Sequence, residues 1–140
     1  MAKPDPARLS IDSYPHHDVI QTRFQDIDIL GHINNVAMAA LFETGRVRFN
    51  RMMGLMRRQG HRWLIANVDV NYLAEGKMAD VQMGTGIGRI GTRSWSILAA
   101  AFQDGTCIAT CDTVVVMEQQ DGQLALPADF RADLEKWVVK

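Results

Sequence analysis

Cysteine, proline and aromatic residues are scarce: the 140-residue chain has two cysteines, four prolines and 7% aromatics. Cys107 and Cys111 fall in one run of strand character, where four residues span about 13 Å at about 3.3 Å each. A disulfide needs Cα atoms within about 7 Å, so the two do not bridge each other and read as reduced, buried thiols. No base neighbours either one in sequence, which leaves a cysteine nucleophile without local support. Long apolar runs are also missing. No stretch reaches the roughly 18 residues that cross a bilayer, and the start, with Pro4, Asp5 and Pro6, has no signal-peptide core. The expectation is a cytoplasmic protein with no membrane partner. Nor does one charge dominate: 15 Lys and Arg against 16 Asp and Glu give a net charge of -1. No overall field favours nucleic acid, so an anionic ligand must be held by a few placed groups.

What is present suits one globular domain over 1–140: 47% hydrophobic and 22% charged residues, with no repeat, low-complexity tract or linker. An extended N-terminal segment is expected over 1–15, and a short helix or tail over 127–140. Val19, Ile20 and Phe24 predict a first strand from His17 to Phe24. A polar loop, Gln25 to Asn35, leads into a helix from Val36 to Met53 with Asn34 or Asn35 as its cap. The first two turns of that helix are apolar nearly all round, which predicts burial. After a basic segment with Arg57, Arg58 and Gly60, extended runs follow at Leu64–Tyr72, Val81–Ile90, Ser94–Gln103 and Thr106–Glu118. Asp104-Gly105 and Asp121-Gly122 are hairpin-turn pairs. Val81, Met83 and Ile87 alternate with Gly84, Gly86 and Gly88, leaving one strand face bare for a close approach, expected from the helix. One strand, one long helix and four hairpin-linked strands make an α+β fold with a mostly antiparallel sheet curled around the helix.

The densest chemistry is Asp26-x-Asp28-x-x-Gly31-His32-x-Asn34-Asn35, between strand and helix. A helix start presents free N–H groups and the positive end of its dipole, which suits an oxyanion forming on an attacked carbonyl. A carboxylate held nearby can serve as nucleophile or as general base on water. The same residues equally suit capping, the two acids on loop donors and the Asn pair on the first helical N–H groups. From the residues alone both readings stay open.

The segment Asp28-Ile-Leu-Gly-His-Ile-Asn-Asn35, followed by an apolar helix with Glu43, resembles the hotdog-fold acyl-CoA thioesterases of the 4-hydroxybenzoyl-CoA thioesterase type, nearest their long-chain acyl-CoA branch. The resemblance continues through Asn67-Val-Asp-Val-Asn-Tyr72, Asp80 and Gly91-Thr-Arg-Ser94, from about Val19 to Met117. It implies a long helix wrapped by a curved sheet of five to six strands. It also implies a homodimer or dimer of dimers with sites between subunits, and hydrolysis of acyl-CoA with neither cofactor nor metal. Asp28 matches the catalytic carboxylate, and the backbone N–H of Asn35 matches the group that polarises the thioester carbonyl. His32 and Asn34 match side chains that orient water or the carboxylate; Asp26 takes a supporting role. Glu43 matches a helical carboxylate that some relatives use, with an ion pair to Arg46 as the alternative. Thr92, Arg93 and Ser94 match the turn that meets the coenzyme, and Arg57, Arg58 and Arg89 are secondary cations for its phosphates.

Three positions depart from that pattern. Met38 stands where an aromatic residue is common, Glu75 where a proline is, and Leu30 where the plant acyl-carrier-protein branch has asparagine. Met38 and Phe42, with Trp63, are the expected acyl-site wall, and the flexible thioether of Met38 leaves the acyl preference open. Gly86-Ile-Gly-Arg-Ile-Gly91, with Asp112 beyond it, fits a dinucleotide pattern, but the run after it reads as a strand rather than a helix. His16 and His17, with Asp18 or Asp26, lack a second ligand pair at metal spacing. Two other functions fit a similar fold: an enoyl-thioester hydratase, whose acid and histidine are spaced differently from Asp28 and His32, and a non-catalytic acyl-CoA binder.

Overall fold

The computed structural model describes residues 4–55, 61–119 and 125–140; Arg57, Arg58, Gly60 and the Asp121-Gly122 pair lie outside them. The elements run β1 (His16–Ile20), α1 (Asn35–Met52), β2 (His61–Tyr72), β3 (Val81–Ile90), β4 (Ser94–Gln103), β5 (Thr106–Gln119) and α2 (Ala128–Glu135). The strands form one five-stranded sheet in the order β1-β3-β4-β5-β2, antiparallel at every pairing. This is the expected α+β architecture. The β4–β5 hairpin turns at Asp104 and Gly105, with φ of 51° and 77°; two positive φ values in a row match the twist of the strands they join.

The first strand is shorter than its apolar residues suggested. After Ile20 the chain leaves β1, and Phe24–Asp26 wind into a 3-10 turn because the Asp26 carboxylate draws in the Arg23 backbone N–H at 2.8 Å and its guanidinium at 3.0 Å. Phe24, expected in the strand, is 86% exposed. In α1, Asn34 is the cap: its side-chain oxygen accepts from the N–H of Val36 at 2.8 Å. Gly54, with φ of 78°, follows the last turn.

Leu41, Phe42, Gly45 and Phe49 are buried at helical spacing on the face of α1 turned to the sheet. The opposite face is open, with Val36 and Val47 exposed, so burial all round is not what one chain provides. The glycines of β3 do not receive this helix. Val81, Met83 and Ile87 form the side packed in the core clusters with α1, and the close approach falls at Gly45, where a Cβ would meet Met83 Cγ at 2.9 Å. The bare face lies on the other side of the sheet. There a Cβ on Gly84 would meet the Tyr14 ring at 2.8 Å, and one on Gly86 would meet Pro15 and Val139 at 2.7 Å.

The chain termini therefore cover the outer face. Within its described part the N-terminal segment is not extended: it carries 3-10 turns at Pro6–Leu9 and Ile11–Ser13. Arg8 reaches Asp112 of β5 at 2.6 Å and donates to the Tyr14 hydroxyl, which donates in turn to the Arg8 carbonyl. After α2, Val139 donates to the carbonyl of Ile87, whose own N–H donates to Trp137 O. Among the described residues no helix is long and apolar enough to cross a membrane.

Candidate functional site

The loop from Ile27 to Ile33 closes on itself as a small antiparallel bridge. Asp28 organises it. One carboxylate oxygen, Oδ1, accepts from the N–H groups of Leu30 at 2.9 Å and His32 at 3.1 Å, while the backbone N–H of Asp28 donates to the His32 carbonyl. Gly31, with φ of 82°, makes the turn between them. Oδ2 of Asp28 accepts no hydrogen bond among the described residues. One oxygen thus fixes the carboxylate and the other is left for chemistry.

The loop docks on the β2–β3 connection. Ile33 donates to the Gly76 carbonyl at 2.8 Å, and a Cβ on Gly76 would meet Ile33 Cδ1 at 2.6 Å and Ile108 Cδ1 at 3.0 Å, so the ends of both isoleucines would have to shift to admit one. Between loop, helix start and connection lies a cleft of about 380 Å³ lined by Asp28, His32, Asn35, Met38, Tyr72 and Glu75, with backbone around them. Asn34 satisfies the N–H of Val36, whereas the N–H of Asn35, a residue that lines the cleft, donates to no described group. An acceptor-only carboxylate and an open helix-start donor can polarise a carbonyl and attack it, or activate water beside it.

Asp26 does different work two residues away. It is 3% exposed and ion-paired to Arg23, whose side-chain hydrogen bond holds the Asp26 carboxyl below the usual range. Its carbonyl accepts from Asn34, so it anchors the strand exit to the helix cap.

Other sequence candidates separate. Met38 lines the cleft, but Phe42 is a core side chain, 1% exposed, and Trp63 packs with the cluster around Phe49, Leu55 and Trp95. Glu43 sits about two turns along α1 on its exposed face and outside the cleft. The Glu43–Arg46 ion pair does not form among the described residues; Arg46 turns instead to Thr113 Oγ1 on β5 at 3.2 Å. Thr92, Arg93 and Ser94 occupy the β3–β4 turn, at the end of the sheet opposite Asp28. A ten-residue strand at about 3.3 Å per residue puts about 30 Å between those ends, so one chain does not bring Arg93 to Asp28. The glycine-rich decoy lies in β3 and that same turn, which leads into β4 rather than a helix. Burial pushes both cysteine thiols up, away from the reactive thiolate. Among the described residues no group of three His, Cys, Asp or Glu side chains converges as a metal site.

Two lining residues had no assigned role in the sequence reading. Tyr72 donates from its hydroxyl to the Asn35 carbonyl at 3.1 Å, and Glu75 pairs with His32 at 3.1 Å. Both stood in view, Tyr72 inside a matched motif and Glu75 as a departure. Their contacts cross from β2 and its exit to the loop, 37 and 43 residues apart, a distance that no local pattern reports.

The comparisons with known proteins agree with this architecture. A predicted thioesterase from Bacillus stearothermophilus is 30% identical, with 89% of this chain and 96% of that one aligned at a TM-score of 0.77. The PA5185 protein of Pseudomonas aeruginosa is 25% identical, with 94% and 97% aligned at 0.80. A Thermus thermophilus thioesterase solved with coenzyme A and Zn shares the fold at 22% identity, with 89% and 95% aligned at 0.76. No curated protein matches the chain. The family model for the thioesterase-like superfamily matches residues 22–138, from the β1 exit through the C-terminal helix, and the chain belongs to that superfamily as a protein of the hotdog fold.

Proposed function

We propose that the chain hydrolyses acyl-CoA thioesters to a carboxylic acid and free coenzyme A. The observation that carries this reading is the shared cleft of Asp28, whose Oδ2 is free among the described residues, and Asn35, whose N–H is likewise free. The carbonyl oxygen of the thioester accepts from Asn35, at the positive end of α1. Asp28 Oδ2 then attacks the carbonyl carbon, or takes a proton from a water that does; the C–S bond breaks and the thiolate leaves. His32 orients the water, and Asn34 keeps the helix start in place by capping it. The superfamily supports thioester chemistry, and the coenzyme A bound by the Thermus thermophilus fold neighbour supports this thiol carrier. Within the superfamily, the long-chain acyl-CoA branch is the proposed affiliation.

The site is completed by a second copy. β2 is a sheet edge with a free ladder, and Ile65, Val68 and Tyr72 on its helix-facing side are each 45–46% exposed, an apolar row unusual for a surface. Antiparallel pairing of this edge with its counterpart reverses the ends of the sheet. The partner's Thr92–Ser94 turn then comes to the Asp28 end, and Arg93 supplies a cation for the coenzyme phosphates. A dimer or a dimer of dimers satisfies this arrangement.

The test is thiol release across short, long and aromatic acyl-CoAs. Wild-type protein is expected to release thiol, and Asp28→Asn to lose at least about 100-fold in kcat with its melting temperature retained. Undiminished turnover by Asp28→Asn removes Asp28 from its role. A change in an enoyl chromophore without thiol release indicates a hydratase, and tight binding without turnover indicates a carrier.

A further inference from the structure

We infer that Arg131 of α2 is a positioning residue for coenzyme binding: it holds the β3–β4 turn so that the N–H groups of Thr92 and Arg93 are presented to the coenzyme phosphates. The inference rests on the functional reading above, which puts the coenzyme at this turn, and adds a residue that the reading does not contain. The guanidinium of Arg131 donates to the Gly91 carbonyl at 2.5 Å, across 40 residues of sequence. The next two carbonyls of the turn are held as well. Thr92 O accepts from the N–H of Leu126 at 2.8 Å, and Arg93 O from that of Met117 at 3.0 Å. Gly91 itself donates to Ser94 O, which closes the turn. Of these contacts, only the one from Arg131 comes from a side chain, so it is the one a substitution removes.

A trans peptide points its C=O and the following N–H in opposite directions. Drawing Gly91 O toward α2 therefore turns the Thr92 N–H away from that helix, and drawing in Thr92 O turns the Arg93 N–H away from Leu126. Both residues are exposed, and neither N–H donates to a described group. Two successive N–H groups left open beside the positive charge of Arg93 suit a phosphate oxygen. A second guanidinium is at hand: Arg89 Nη1 lies 3.5 Å from where a Cβ on Gly91 would sit. The support behind Arg131 is rigid. Phe130, 2% exposed, meets Trp95 edge-on at 5.0 Å, and Leu134 is buried in the same cluster. The core therefore fixes the helix, and only the Arg131 side chain is left to order.

Full-length protein is compared as wild type, Arg131→Met, Arg131→Lys and Arg93→Ala; methionine keeps the apolar stem and removes the donor, and lysine restores one. In 15N-labelled wild type, coenzyme A is expected to shift the Thr92 and Arg93 amide signals, and in Arg131→Met to shift them less. Arg131→Met is expected to weaken coenzyme A binding about fivefold, by calorimetry, and to raise KM for acyl-CoA as much with kcat retained; Arg131→Lys should recover part. KM for the matching acyl-pantetheine thioester, which lacks the nucleotide, should not move, whereas a general loosening of the fold moves both. Coenzyme binding that Arg131→Met leaves unchanged, amide signals that coenzyme A does not shift, or a KM that rises equally for both thioesters overturns the proposal. Where Arg93→Ala weakens coenzyme binding, the functional reading survives that failure. A wild type that binds no coenzyme A, or an Arg93→Ala that binds it as tightly as the wild type, overturns the coenzyme's placement together with the proposal.

Discussion

The hydroxyl of Tyr72 donates to the carbonyl oxygen of Asn35 at 3.1 Å, so the last residue of β2 holds the first residue of α1. The carbonyl it holds belongs to the residue whose N–H is proposed to polarise the thioester. In the single chain Tyr72 is 46% exposed, and water there competes for its hydroxyl, so the bond contributes less than about 1 kcal/mol to the folding of one chain. Its effect on positioning is expected to be larger. Tyr72→Phe should keep the melting temperature within about 2 °C while lowering kcat/KM roughly fivefold, the equivalent of about 1 kcal/mol in the transition state. Equal rates for the two proteins would show that the helix start holds its place without this contact.

The outer face of β3 makes a stability prediction with no catalytic component. A Cβ on Gly84 would lie 2.8 Å from two carbons of the Tyr14 ring, and that ring is buried and tied to Arg8. Gly84→Ala must push the N-terminal strap outward, and overpacking of this kind costs about 2 kcal/mol, or roughly 6 °C in melting temperature. Truncating the ring in Gly84→Ala/Tyr14→Leu should restore part of the loss, because the clash and its partner are then removed together. Thermal melts of the single and double variants check this coupling.

Stability should fall on acidification in two stages. Burial holds the folded-state pKa of His16 below its ordinary value, so the unfolded chain binds the proton more readily. The stability from a neutral His16, whose ring centre lies 5.6 Å from that of Phe49 at a tilt of 54°, is present above about pH 6.5 and is lost as pH falls toward the lower folded value. Asp26 follows at lower pH. Its carboxyl is held down by the Arg23 hydrogen bond, so its contribution is present above about pH 4 and is lost as pH falls through the folded pKa. Denaturant midpoints against pH should show both stages, and His16→Phe should remove the first alone.

The legible parts of this molecule were those with local causes. The β3 and β4 bounds, the turn at Asp104-Gly105 and the Asn34 cap each follow from a short run of residues. The Asp28 loop was legible too, because an acid followed by glycine and helix-capping residues supplies its own hydrogen bonds. What failed depended on which face met which. Alternation revealed that β3 has a bare side but not that Tyr14, Pro15 and Val139 cover it, since those residues come from the two ends of the chain. Apolar residues all round α1 predicted burial that one chain leaves incomplete, and the same open face and the edge of β2 are the surfaces that the proposed second chain uses.

That second chain can be tested by complementation. If Arg93 serves the partner's Asp28, Asp28→Asn breaks the site on its own chain, and Arg93→Ala breaks the site across the interface. A dimer of the two variants then holds one site with both defects and one with neither. Random re-pairing of equal amounts makes about half the dimers mixed, each with one of two sites intact, so at acyl-CoA well below the wild-type KM, where a tenfold rise in KM leaves about a tenth of the rate, thiol release should return to about a quarter of the wild-type rate. Were Arg93 to serve its own chain, every site would carry one defect and mixing would recover nothing. Arg93→Ala alone should raise KM for acyl-CoA about tenfold while sparing a short acyl thioester that lacks the nucleotide, because the lost group contacts only the phosphates. The rate of the mixture, measured after the chains are unfolded together and refolded, separates the two arrangements.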